Sequence, residues 1–239
     1  MNFTDFQSRE VCFFHNKKVL PPVRGCQLFL GDFYPTLLKM HELEGKEYNS
    51  YVSICQYSNI PQFVLQPHKK RFEQFKQWVQ VRDLSIVKVD FFIDFDGKSL
   101  KDAFTDCFNA KQYLVELIGS QALYLNIYFS GNHGFHLLGK MGDSFGKTPQ
   151  EKLRKNYELA MLLKPLCPSI DETIYDLARV RKLIGSKVYS PTLGQTRVIS
   201  CDSWQEFENL EVLIAKKDWS NWEKMPIKRL NKIETEMKQ

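Results

Sequence analysis

The sequence has no apolar run near the roughly 20 residues that a membrane-spanning helix needs, and no segment repeats. It also lacks a Gly/Ser/Pro-rich linker or a low-complexity tract, so one continuous fold is expected rather than separate beads. Its six cysteines, Cys12, Cys26, Cys55, Cys107, Cys167 and Cys201, form no CxxC pair. Neither a disulfide framework nor a structural zinc site is therefore visible, and buried free thiols are expected. Cys12-Phe13-Phe14-His15 has a ligand-like spacing, but no second pair completes it. The first residues, Met1 to Phe6, lack the basic start and apolar stretch of a signal peptide. These absences predict an intracellular protein with no membrane partner, in the cytoplasm or nucleoid, or in the nucleus of a eukaryote.

At 239 residues the chain is long enough for a full hydrophobic core, and its 43% hydrophobic and 26% charged content is ordinary for a globular protein. A formal net charge of +5 favours an anionic partner only weakly, but its distribution is uneven. Basic residues crowd His68-Lys69-Lys70-Arg71, the stretch Arg179 to Lys187, and Lys216-Lys217. Such runs are usually solvated faces, and nucleic-acid binding is the less common reading.

Short strands and loops are predicted to about Pro61, then an amphipathic helix over Arg71 to Val81 with Phe72, Phe75 and Val79 on one stripe. From Val87 the period becomes two. Val87, Val89, Phe91, Ile93 and Phe95 alternate with Lys88, Asp90, Asp94 and Asp96, which predicts a strand with one buried face, ended by Gly97. Ser99 and Asp102 then have N-cap and N3 spacing for a helix to about Ile118. Leu123 to Phe129 and Phe135 to Leu138 predict a hairpin around Gly131-Asn132-His133-Gly134. Thr148-Pro149-Gln150-Glu151 starts a helix that should stop before Pro165. A second hairpin is expected between Leu183–Tyr189 and Thr196–Ser200, followed by a helix opened by Ser203-Trp204-Gln205-Glu206 and a charged tail after Pro226 that frays. The order of elements predicts an α+β fold, a mixed sheet with helices packed on one face.

Three constellations carry chemistry. In Ile93-Asp94-Phe95-Asp96 the two acids point to the same strand face, about 7 Å apart. Carboxylates so placed repel unless a cation lies between them, and hard divalent ions such as Mg²⁺ prefer their oxygens. By itself such a pair is more commonly an acidic, solvent-facing strand end. Ser130-Gly131-Asn132-His133-Gly134-Phe135-His136 forms a glycine-containing turn whose N–H groups can cradle a phosphate, flanked by Ser130 and His136. Asp171, followed by Arg179, Arg181, Lys182, Ser186 and Lys187, can complete a metal site and neutralise phosphates.

In this order the three segments resemble the motifs of the archaeo-eukaryotic primase superfamily. Ile93-Asp94-Phe95-Asp96 is similar to its hDhD motif, and Ser130 through His136 to its serine-glycine turn ending in histidine. Ile170-Asp171, with the basic stretch from Arg179 and Gly185-Ser186, is similar to the third. Ser8-Arg9-Glu10-Val11-Cys12-Phe13-Phe14 and Tyr51-Val52-Ser53-Ile54-Cys55-Gln56-Tyr57 resemble upstream segments, so the likeness runs from about Arg9 to about Ile199.

The resemblance implies a compact primase-polymerase whose catalytic module is built on an RRM-like sheet. It would be one domain over 1–239, with an N-terminal β-rich part to about 80, the module over about 85–200, and a C-terminal helix and tail from about 203. It implies Asp94, Asp96 and Asp171 as catalytic ligands of two Mg²⁺ or Mn²⁺ ions. Ser130, Gly131, His133, His136, Arg179, Arg181, Lys182, Ser186 and Lys187 would meet the nucleotide.

The implied activity is a template-dependent nucleotidyltransferase, a DNA primase catalytic subunit making short primers on single-stranded DNA from NTPs or dNTPs. A large primase subunit or a helicase would be a candidate partner. The cysteine cluster of a zinc insertion is missing, no zinc is expected, and the lysine after Gly185-Ser186 is displaced from the usual His-x-Lys. A primer-extending enzyme of repair or mobile elements is the alternative activity. A non-catalytic RRM-like nucleic-acid-binding domain and a metal-dependent phosphohydrolase are the other classes.

Overall fold

The structure, a computed structural model, describes residues 9–15, 23–26, 48–58, 83–119, 123–173, 179–217 and 219. The expected helix over Arg71 to Val81, the basic run His68–Arg71 and the tail after Pro226 lie outside these residues.

The longest strand is β5 (Ile86–Asp96), and the site depends on its surroundings. It is paired on one side with β7 (Gly134–Lys140), which pairs in turn with β6 (Asn126–Phe129). At its other edge lies β4 (Cys55–Tyr57), and β11 (Ile199–Ser200) closes the far side, giving the order β11-β6-β7-β5-β4. A second sheet has the order β2-β1-β3-β8, from β1 (Val11–His15), β2 (Val23–Cys26), β3 (Tyr48–Ser53) and β8 (Val180–Lys182). A separate hairpin joins β9 (Lys187–Ser190) to β10 (Gly194–Arg197). Every strand pairing among the described residues is antiparallel.

Three described helices contribute side chains to one apolar cluster with Phe91, Ile93 and Phe95 of β5. This is the expected α+β arrangement. Helix α1 (Leu100–Ile118) starts where Ser99 accepts a hydrogen bond from the Asp102 N–H, and buries the stripe Ala103, Phe104, Cys107, Ala110 and Leu114. Helix α2 (Pro149–Leu163) has a complete capping box, Thr148 with Glu151, and Pro149 in its first turn. Helix α3 (Trp204–Lys216) is capped by Ser203 and stacks Phe207 on Phe104 at 4.5 Å. Cys12, Cys55, Cys107, Cys167 and Cys201 are free and buried, and no described helix is long and apolar enough to cross a membrane.

Four local expectations change. The strand β5 is buried on both faces from Val89 to Ile93, because a second apolar cluster covers its other face, with Leu153 of α2 packed against it. Phe92, Tyr128 and Leu138 there pack with Ile54, Val188 and Val198. Val87, expected inside, is 62% exposed; the register steps from Lys88 to Ile86 opposite Gln56 and Tyr57, leaving Val87 as a bulge. The strand expected from Leu123 begins at Asn126, because Tyr124 adopts a positive φ of 49° that no strand accommodates. The second hairpin is shorter than expected: its first strand begins at Lys187 rather than Leu183, and Ile199–Ser200 crosses to pair with β6. Likewise Tyr51 to Tyr57 is divided between two sheets at Ile54. That residue donates to the Arg179 carbonyl (3.2 Å) and accepts from the Asp90 N–H (2.9 Å), joining the sheets.

Burial of the second face encloses charge. Asp90, on β5, is 8% exposed and accepts from Arg9 at 2.9 and 3.0 Å, while Arg9 also donates to the Ser53 carbonyl. Arg181 of β8 stands 4.0 Å from the same carboxylate. Removing one partner of a buried pair strands the other, so Arg9→Met is expected to lower stability by about 3 kcal/mol. Arg9→Met with Asp90→Leu should recover much of that loss. Chemical denaturation of the three proteins checks both, and equal stability of Arg9→Met and the parent would contradict the role of the pair.

Candidate metal centre

The acidic centre is assembled by backbone pairing at the end of β5. Asp94 and Asp96 are two residues apart on the strand and share a face. After α2 the chain turns back, held by Asp106 of α1, whose carboxylate accepts from the Ser169 N–H (2.8 Å) and hydroxyl (2.7 Å). Lys164 reaches the carbonyls of Pro168 and Ile170. Residues 169–171 then extend the sheet beside β5: Ile170 bridges Phe95, Asp96 N–H donates to Ser169 (2.8 Å), and Asp171 N–H donates to Asp94 (2.9 Å). One carboxylate oxygen from each of Asp94, Asp96 and Asp171 consequently lies within 4.8 Å of the others. Asp171 is oriented by Thr173, whose N–H and hydroxyl donate to its Oδ1 at 2.9 and 2.8 Å.

This donor set fits a hard divalent cation, with three carboxylates converging and neither thiolate nor imidazole in the triad. Electrostatics agree. Burial, reinforced by Asp96 and Asp171, pushes the Asp94 carboxyl up to about 7, against the partial relief given by Lys182 and Arg179. Lys182, on the edge strand of the other sheet, has its ammonium pulled down by burial, which Asp94 and Asp96 partly offset. Across β5 and β7, His136 is opposite Asp94, with Nε2 3.6 Å from its Oδ1. Burial, helped by Lys182 and Arg181, holds this imidazole well below its usual pKa, so it is neutral. Its Nδ1 is buried without a hydrogen-bond partner, and Phe92 fixes the ring edge-on at 5.2 Å.

The turn before β7 is shaped by close approach. A Cβ on Gly134 would collide with the Phe95 carbonyl and the Asp96 carboxylate. Gly131 has a φ of +80° and lies against Val188, a combination that only glycine meets without strain. Ser130 is buried and its N–H donates to Gly134 (2.9 Å). The β9–β10 hairpin clasps the turn through Ser190 to Asn132 (2.6 Å) and Thr196 to the Gly131 carbonyl.

The nine residues expected to meet a nucleotide thus divide. His136, Lys182 and Arg179 surround the triad, Arg179 also donating to the Thr173 carbonyl. Ser130 and Gly131 form the turn beside it, and Arg181 lies between Asp90 and His136. His133 is exposed, 3.3 Å from the Thr192 hydroxyl. Ser186 is fully buried, with its hydroxyl unbonded at the base of the hairpin. Lys187 lines a groove outside the hairpin with Arg197, Lys217 and Trp219.

Sequence reasoning missed Tyr51, whose phenol is raised by burial and, further, by Asp94. It also missed the Arg9–Asp90 pair. Tyr51 and Arg9 lie in segments singled out only for resemblance, and nothing local in them signals a partner 81 residues away along the chain, as Asp90 is from Arg9.

No family model matches the sequence, and no curated protein matches it. Among solved structures the chain is similar to the polymerase domain of Mycobacterium tuberculosis Ligase D in complex with DNA. That similarity has 12% sequence identity and a TM-score of 0.49, over 92% of this chain and 85% of the other.

The triad's titration is testable. The folded pKa of Asp94 lies above its unfolded value, so in metal-free protein its stabilising contribution is present at acid pH and lost as pH rises through about 7. A cation competes with the same proton. Manganese affinity, measured by calorimetry, is expected to fall about tenfold per pH unit below about 7. Asp94→Asn should remove both pH dependences, and manganese binding that is flat between pH 5 and 8 would contradict this account.

Proposed function

We propose that this chain is a metal-dependent nucleotidyltransferase of the primase-polymerase type. The observation that carries the proposal is the triad Asp94, Asp96 and Asp171 gathered on one sheet end, with Lys182 and Arg179 facing it from another strand and loop. The order of the three motifs resembling the primase superfamily supports the same reading. A free acidic triad repels polyphosphate, whereas a triad holding Mg²⁺ or Mn²⁺ beside fixed cations attracts it.

Asp94, Asp96 and Asp171 are the residues that would hold the metal. When bound there, the metal supplies positive charge that favours ionisation of an attacking hydroxyl and screens the phosphates. Lys182 and Arg179 bind nonbridging phosphate oxygens and oppose the charge that accumulates on a leaving pyrophosphate. His136, neutral and locked by Phe92, orients a phosphate by donating a hydrogen bond without adding a further charge to the site. The Ser130–Gly134 turn, clasped from outside, keeps the backbone close to the triphosphate. The substrates on this reading are nucleoside triphosphates and a single-stranded DNA template. A short primer is the product when chains start de novo, and an elongated end is the product when an existing primer is used.

A polymerisation assay tests this directly. Purified protein is mixed with single-stranded template, NTPs or dNTPs, and Mg²⁺ or Mn²⁺, with and without primer. Template-directed product is expected, and Asp94→Ala or Asp96→Ala should reduce it at least 10³-fold on the order expected for a lost charge-stabilising group, with little change in the folding transition. Product without primer identifies a primase, and product only with primer an extending polymerase. Nucleotide hydrolysis without any chain synthesis would refute the proposal in favour of a phosphohydrolase.

A further inference from the structure

A groove of about 400 Å³ opens beside the β9–β10 hairpin, against the end of α3. Lys187, Arg197 and Lys217 line it together with Trp219 and Gln195, and its described lining residues include no carboxylate. Lys187 and Arg197 are direct partners in the antiparallel register. Arg197 also donates to the Gly185 carbonyl at 3.2 Å. Lys217 brings a third cation from an unfavourable backbone. It ends α3 in the left-handed conformation, φ 52° and ψ 25°, where glycine is the usual residue because a Cβ is strained. Trp219 is half-buried, and its indole lies parallel to Phe129 (9° between planes, 6.4 Å between centroids), which fixes its orientation.

A row of cations beside an oriented indole suits one chemistry, a phosphodiester chain with unpaired bases. The cations track the backbone, and the ring stacks a base of any identity. Free phosphate would use the cations but has no use for the indole, and a paired duplex offers no free base face. We propose that this groove is a binding site for single-stranded nucleic acid, its backbone along Lys187, Arg197 and Lys217 and a base on Trp219.

The groove is coupled to the acidic centre by the hairpin itself. Its inward side holds the Ser130–Gly134 turn through the bonds from Ser190 to Asn132 and from Thr196 to Gly131. A strand laid along its outward side is thereby fixed relative to Asp94 and Asp96. The strand's purpose, as template, rests on the proposed activity; its binding is measured without catalysis.

The test is fluorescence anisotropy of a labelled oligo-dT across a salt series. Lys187→Gln with Lys217→Gly removes two cations, and glycine suits the left-handed backbone at 217. The double variant is expected to bind about tenfold more weakly at low salt. The slope of log affinity against log salt should shrink by about 1.4, two contacts at about 0.7 each. Lys217→Gly alone, the milder change, should give about half that slope change. Trp219→Leu should weaken binding while leaving the slope as it was.

Unchanged affinity and slope in the double variant would overturn the proposal. So would lost binding of inorganic tripolyphosphate with intact oligo-dT binding, which would make the groove a free-phosphate site. A parallel fall in manganese affinity would also overturn it, by making the groove part of the acidic centre. A protein that binds oligo-dT here yet synthesises nothing would refute the proposed activity and leave the groove standing.

Discussion

Two backbone hydrogen bonds hold the centre of this molecule together, from Asp171 to Asp94 and from Asp96 to Ser169. They lay a short segment from beyond α2 against the end of β5 and force three carboxylates within 4.8 Å. The three carboxylates themselves oppose that meeting. The repulsion is visible in Asp94, whose carboxyl is driven up to about 7. The fold opposes it with cooperative backbone pairing and with the grip of Asp106 on Ser169. A site that must hold such repulsion in its resting state is preorganised for positive charge.

The rest of the architecture brings that charge without filling the space. The chain passes at Ile54 from one sheet to the other, so β8 stands across from β5 rather than beside it. Lys182 and Arg179 can then act on Asp94 from the opposite layer. Deeper in, Arg9 and Arg181 are matched to Asp90, while the inner surface around Phe92, Tyr128 and Leu138 is apolar. Burial there keeps His136 neutral beside Asp94. Polar groups are thereby graded along a single strand: Asp90 is already matched by arginines, whereas Asp94 and Asp96 meet only partial compensation.

Much of this was legible locally. Ser99 with Asp102, and Thr148 with Pro149 and Glu151, mark helix starts because capping uses side chains three residues apart, a spacing written in the sequence. Asp94 and Asp96 could be placed on one face because strand geometry alone decides it. Asp171 could be read locally only as an acid ahead of a basic stretch, since its neighbours in space come from β5 and its own surroundings give no period. The errors of burial have one cause. The alternation along β5 predicts a single buried face, but burial on the second face is supplied by the hairpin and the other sheet, which no local pattern encodes. Hence Asp90, written among exposed acids, is buried, and Lys187, grouped by sequence with Ser186, faces away from it across the hairpin.

The central claim is that the three aspartates are one cation site. The most direct measurement is anomalous diffraction from crystals grown with Mn²⁺ and a non-hydrolysable nucleoside triphosphate. The account requires a manganese peak bounded by Asp94, Asp96 and Asp171, with the phosphates on the side of Lys182 and Arg179. Ordered nucleotide with no peak among the three carboxylates, or manganese bound elsewhere, would contradict it.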